Sequence, residues 1–93
     1  MIKSFASQET ERVFERRSSR RLPEGMQRIA RRKLLMLDAA ETLQDLRVPP
    51  SNRLEKLSGD RQGQYSIRVN DQWRICFEWH EDNVYNVEIV DYH

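Results

Sequence analysis

Residues 61–93, RQGQYSIRVNDQWRICFEWHEDNVYNVEIVDYH, alternate apolar and polar side chains over most of their length. Tyr65, Ile67 and Val69 are followed by Trp73, Ile75, Phe77 and Trp79, and then by Tyr85, Val87 and Ile89. A period of two on aromatic and β-branched residues predicts half-buried strands. The alternate positions carry Arg68 and Arg74, so one face of the predicted sheet is apolar and the other is cationic. The upstream chain then serves to support this sheet, and the sheet carries the chemistry.

Hairpin register follows from keeping the apolar face intact. A two-residue loop at Asn70-Asp71 sets Arg68 opposite Trp73 and splits the apolar set. A three-residue loop, Asn70-Asp71-Gln72, aligns Val69 with Trp73, Ile67 with Ile75 and Arg68 with Arg74. The same test on the second hairpin selects the loop Glu81-Asp82-Asn83. It pairs Trp79 with Tyr85, Phe77 with Val87 and Ile75 with Ile89, with Val90 opposite Arg74 and Tyr92 one step diagonal. The polar face therefore gathers Arg68, Arg74 and Tyr92. Strict alternation turns Asp91 and His93 the other way, so the strand is expected to end or bend at Val90 and bring them round. Arginines directly across a sheet repel, at a cost of a few tenths to ~1 kcal/mol. Either a bound anion such as phosphate relieves them, or each pairs with an acid such as Glu55, Glu78 or Glu88.

Working outward, 93 residues predict one domain with one modest core. No apolar run approaches the ~18 residues of a membrane span, and Lys3 precedes nothing like the apolar segment of a signal peptide. The single cysteine, Cys76, has no internal disulfide partner, which fits a reducing cytoplasm. The net charge of +1 conceals an asymmetry: residues 1–47 hold 11 Lys/Arg against 7 Asp/Glu, and residues 48–93 hold 5 against 8. Residues 12–33 alone hold 9 basic and 2 acidic side chains. Such a surface suits a polyanion or an acidic protein, although a charge run is also simply a solvated helix face.

Met1–Phe5 reads as a short first strand. Ser7 is a candidate N-cap for a helix over Gln8–Arg17 that buries Val13 and Phe14, with Glu9 and Glu11 in the first turn where the helix dipole favours acids. Arg16-Arg17-Ser18-Ser19-Arg20-Arg21 has no apolar face and reads as a mobile linker. Pro23 suits the first turn of a second helix, with Met26, Ile29, Ala30, Leu34 and Leu37 on its core stripe and Arg28, Arg31, Arg32 and Lys33 on the remainder. Asp38 and Glu41 have the spacing of a capping box, predicting a break before a short turn with Leu43 and Leu46. Val48-Pro49-Pro50 ends any helix. Residues 53–57 read as a short strand, and Ser58-Gly59-Asp60 as a turn.

The terminal histidine travels with a tyrosine, a carboxylate and two arginines. Cleavage of RNA by its own 2′-hydroxyl needs a base for the 2′-OH proton, an acid for the leaving 5′-oxygen and cations for the crowded phosphorane. No metal or cofactor is expected: His80, His93 and Cys76 show no metal-ligand spacing. Gly-rich phosphate loops and Ser-His-Asp arrangements are absent.

Four pieces together resemble the HigB branch of the RelE/ParE toxin superfamily. They are Gly59-Asp60-Arg61 with Gly63, Tyr65-Ser66-Ile67-Arg68-Val69, Trp73-Arg74-Ile75 and the terminal Asp91-Tyr92-His93. Met1-Ile2-Lys3-Ser4-Phe5 is similar as well, so the likeness spans nearly the whole chain. It implies an α+β fold, with a short N-terminal strand and two helices packed on a small, twisted, mostly antiparallel sheet. It also implies a type II toxin that cuts mRNA in the ribosomal A site without a metal. A helix-turn-helix antitoxin would neutralise it, and the complex would repress its own operon. By position, Arg74 would stabilise the phosphate, and Asp91, Tyr92 and His93 would form the catalytic cluster. Glu55 stands where some relatives carry a histidine, leaving the proton transfers between Glu55, Asp91 and His93. Arg68 rests on the register argument alone. Arg28, Arg31, Arg32, Lys33, Arg20 and Arg21 are candidate RNA contacts. The rival expectation is a non-catalytic toxin that binds a protein such as gyrase, as ParE-type relatives do.

Overall fold

A computed structural model describes residues 1–92. Helix α1 spans Gln8–Phe14 and α2 spans Glu24–Ala39. Strands β1 (Glu55–Lys56), β2 (Tyr65–Arg68), β3 (Trp73–His80) and β4 (Asn83–Asp91) form one antiparallel sheet in the order β1-β2-β3-β4. Both helices pack on one face of it. Leu34, Leu37 and Ala30 of α2 are fully buried with Ile67, Ile75, Phe77, Val84 and Val87 of the sheet. Among the described residues the opposite face carries no α-helix.

Ser7 caps α1 as expected: its hydroxyl accepts the Thr10 N–H at 3.0 Å. The fully buried Thr10 in turn accepts the Ile89 N–H at 2.9 Å, tying α1 to β4. The helix stops at Phe14, three residues short of the expected end. Along α2 the core stripe is Met26, Ala30, Lys33, Leu34 and Leu37, and Ile29 faces solvent. The break after α2 is real, but its capping box is Thr42 with Asp45, on the 3₁₀ turn Leu43–Arg47. Asp38 instead accepts the Ile2 N–H at 2.9 Å and anchors the N-terminal segment.

That segment forms two parallel bridges along the edge of β4, Ile2 with Val84 and Phe5 with Val87, rather than a continuous strand. Residue 86 interrupts the ladder between them. The arginine-rich stretch after α1, expected to be mobile, is held by Ser19. This residue is buried, its hydroxyl donates to Glu9, and its backbone exchanges hydrogen bonds with the Gln27 side chain at 3.1 and 2.9 Å. A small polar residue with a buried acceptor supplies the anchor that an apolar residue would otherwise provide.

The first hairpin has the expected register, with Ile67 opposite Ile75, Arg68 opposite Arg74 and the Val69 N–H bonded to the Trp73 carbonyl. The second agrees at its far end, Ile75 opposite Ile89 and Arg74 opposite Val90, and departs at its turn. There Trp79 faces Val84 and Glu78 faces Tyr85. Glu81 and Asp82, at φ of 48° and 64°, make a two-residue turn of the kind whose twist matches a hairpin. A bulge corrects the one-residue offset: Asn86 and Val87 both lie opposite Phe77, with Asn86 at φ of 53°. Val84 thus takes the core position expected of Tyr85. The Tyr85 ring lies 5.7 Å from the ring of His80.

Candidate nucleic-acid site on the open face

Arg74 sits on the helix-free face of β3 and is only 7% exposed. Burying a guanidinium is costly unless its donors are satisfied. Arg74 Nε donates to Ser66 Oγ at 2.8 Å. Its Nη2 donates to the Arg53 carbonyl at 2.6 Å and reaches the Ser66 carbonyl at 3.4 Å. Glu55 Oε2 lies 4.0 Å from the same nitrogen. Nη1 takes part in none of these bonds. The Tyr92 ring stands over the guanidinium, 5.5 Å from its centroid to Cζ, within cation–π range. Alternation places Ser66, Arg68, Arg74 and Glu55 together, because Glu55 pairs with Ser66 and Arg68 with Arg74 across adjacent strands.

The facing arginines are relieved by protein groups rather than left bare. Arg68 pairs with the exposed Asp71. Glu55 supplies a carboxylate near Arg74, while Glu88 pairs with Arg61 at 3.4 Å. The solvent-facing Arg68–Asp71 pair is worth at most about 1 kcal/mol, so an incoming phosphate can displace Asp71. Cys76 lies between Ser66 and Glu88 in the register and is fully buried. Burial pushes its thiol pKa up, so it stays protonated.

The expected bend at Val90 is absent. Strand β4 continues to Asp91, opposite Trp73, because the Tyr92 N–H bonds to the Gln72 carbonyl at 2.7 Å and extends the pairing. Asp91 Oδ2 accepts from Gln72 Nε2 at 3.0 Å, beside the hairpin loop rather than at Arg74. His93 lies outside the described residues.

Of the candidate RNA contacts, Arg28, Arg32, Arg20 and Arg21 are exposed in the helix layer. Arg28 and Arg31 line a cleft of about 300 Å³ with Arg16, Arg17 and Val13. Lys33 is a correction. It is buried at 8% exposure, and its ammonium donates to the Asn52 side-chain oxygen. Its position, three residues after Ala30 and seven after Met26, turns it toward the core. Burial first, then the charges of Arg32 and Arg68, lower its pKa. The residues missed from sequence are Ser66, Asn52 and the Arg53 carbonyl. Ser66 alone had a signal, since it shares the alternating face of Arg68. Among the described residues no three His, Cys, Asp or Glu side chains converge as metal ligands. Nor is any described helix long and apolar enough to cross a membrane.

A helix pair backing a four-stranded antiparallel sheet is the RelE-like fold. It matches a chain of the YoeB–YefM toxin–antitoxin complex from Staphylococcus aureus with a TM-score of 0.62, covering 100% of this chain and 98% of that one at 16% identity. Sequence narrows the class: residues 3–93 match the HigB-like toxin family, described as the RelE-like toxin of the type II toxin–antitoxin system HigB. The chain belongs to that family. It is 42% identical over 80 residues to Toxin HigB-1 of Vibrio cholerae, spanning 85% of this chain and 84% of the relative. It is 34% identical over 94 residues to Endoribonuclease HigB of Proteus vulgaris, spanning 100% of both.

Proposed function

We propose that this HigB-like toxin is a ribosome-dependent, metal-independent mRNA endonuclease of the cytoplasm, acting as one domain over residues 1–93. The observation that carries this is Arg74: a guanidinium held through Nε and Nη2, which leaves Nη1 to meet a phosphate under the Tyr92 ring. The similarity to a Proteus vulgaris protein named as an endoribonuclease supports the reaction class.

In the proposed reaction the 2′-oxygen of the substrate attacks the adjacent phosphorus. A P–O2′ bond forms, the P–O5′ bond breaks, and the products are a 2′,3′-cyclic phosphate and a 5′-hydroxyl. Glu55 or His93 takes the 2′-OH proton, and the chain end returns a proton to the leaving oxygen. Arg74, with Arg68 beside it, stabilises the phosphorane charge in place from the start, without reorganisation. Asp91, through Gln72, holds the strand end that carries Tyr92 and leads to His93. Arg20, Arg21, Arg28, Arg31 and Arg32 contact ribosomal RNA. A helix-turn-helix antitoxin neutralises the toxin, and the pair represses its operon.

The test expresses Arg74→Ala and His93→Ala alongside wild type, following growth and mRNA integrity. Both variants are expected to lose growth arrest and cleavage. Arrest at wild-type strength by both defeats the nuclease assignment and favours a toxin that acts by binding alone. EDTA should leave cleavage intact; its loss contradicts the metal-free mechanism.

A further inference from the structure

The carbonyl that holds Arg74 comes from an unusual backbone position. Arg53 has φ of 46° and ψ of 57°, the left-handed region that costs a non-glycine residue free energy and persists only where its surroundings impose it. The surroundings here are specific. Asn52, immediately before it, is fully buried. Its Nδ2 donates to the carbonyls of Leu46 and Val48 at 3.1 and 3.4 Å, and its Oδ1 accepts from the Lys33 ammonium. The Arg53 N–H closes a second 3₁₀ turn, Pro50–Asn52, onto the Pro50 carbonyl at 3.0 Å. Asn52 thus ties its own turn to the segment from Leu46 to Val48, and Lys33 fastens the assembly to α2. Its outward end is the Arg53 carbonyl, 2.6 Å from Arg74 Nη2.

We propose that Lys33 and Asn52 are positioning residues for Arg74, acting through the left-handed turn at Arg53 whose carbonyl fixes the guanidinium. Neither touches the reacting atoms. A buried lysine is a costly way to stabilise a fold, and a buried asparagine with both ends of its amide engaged specifies one geometry rather than adding apolar contact. Their arrangement explains why Arg74 presents a fixed edge to the open face. The inference rests on the role proposed above for Arg74.

The test turns on Arg53 because its side chain is exposed. Glycine enters the left-handed region freely, whereas a β-branched residue resists it. Arg53→Gly and Arg53→Val lose the same side chain, so their difference isolates the carbonyl. Single-turnover cleavage on mRNA-programmed ribosomes should be about 10-fold slower for Arg53→Val than for Arg53→Gly, with ribosome affinity equal, because misplacing a catalytic group acts on rate. Equal rates overturn the proposal. Lys33→Met should slow the same step and broaden the Arg74 Nε–H resonance, with Lys33→Arg restoring both in part. A folded Lys33→Met with wild-type rate and an unchanged resonance also overturns it. The resonance needs no substrate, so it settles the positioning role even where Arg53→Val proves unstable. Arg74→Ala in the same assay separates the two ideas. If that variant cleaves normally, the function assigned to Arg74 fails. If it is dead while the Arg53 pair and Lys33→Met match their controls, only the positioning role fails.

Discussion

Ser66 is fully buried on the face that carries Arg68 and Arg74, and its hydroxyl and carbonyl both turn to Arg74. Removing the hydroxyl leaves the Nε donor unsatisfied, which costs about 1–3 kcal/mol by the desolvation of that group. Ser66→Ala is therefore expected to lower stability by that amount in urea titration. Its loss of cleavage rate should exceed that of the loop variant Asp71→Ala, which only exposes Arg68. Lys33 gives a pH signature at the same scale. Its folded pKa is lowered, chiefly by burial, so the unfolded chain binds the proton more tightly. Stability must then rise as pH climbs through the lowered value toward the ordinary lysine value of 10.5. Lys33→Met should remove that increment, measured as the difference between the two proteins' unfolding free energies at pH 7 and pH 10.

At the scale of elements, the bulge in β4 decides which side chains enter the core. Asn86 adopts φ of 53°, its N–H donates to Ser4 Oγ at 2.8 Å, and its amide donates to Glu78 at 2.9 Å. Asn86→Gly should be tolerated within about 1 kcal/mol, whereas Asn86→Val should cost about 1–3 kcal/mol because a β-branched residue is strained there. Thermal unfolding of the two variants compares them directly. This bulge also marks where alternation stops being a guide. The pattern from Tyr65 to Phe77 has one register that keeps its apolar face whole, and the chain adopts it. Beyond Phe77, both Val84 and Tyr85 could continue an apolar face. The choice fell to a two-residue turn and a left-handed asparagine, whose backbone geometry leaves no period in the side chains. The site shows the same division. Arg68, Arg74 and Tyr92 are legible because side-chain parity carries them. The Arg53 carbonyl and the buried end of Lys33 are not, since one is backbone and the other depends on how α2 rolls against the sheet.

Across the whole molecule, one layer of helix leaves the other face of the sheet open, so a single core must hold the platform beneath Arg74. Phe77 and Leu34 are both fully buried in that core. Leu34→Ala should cost about 2–5 kcal/mol, and Phe77→Ala about 3–5 kcal/mol, a large share of the stability of a chain this size. In the function proposed above, the basic helix layer, with Arg28 and Arg32 exposed, supplies a separate attraction to RNA. Replacing both by alanine should weaken ribosome binding and flatten its salt dependence, without changing the rate of cleavage once bound. The open face and the helix layer thus divide the work proposed for this HigB-like toxin into reaction and delivery. The reaction is tested most directly by the chemical ends it leaves. Purified toxin and Arg74→Ala are each mixed with mRNA-programmed ribosomes, and the 3′ ends of the fragments are identified. Cleavage to a 2′,3′-cyclic phosphate, reduced about 100-fold or more in the variant, is the predicted result. Fragments ending in a 3′-hydroxyl, or wild-type cutting by Arg74→Ala, contradict it.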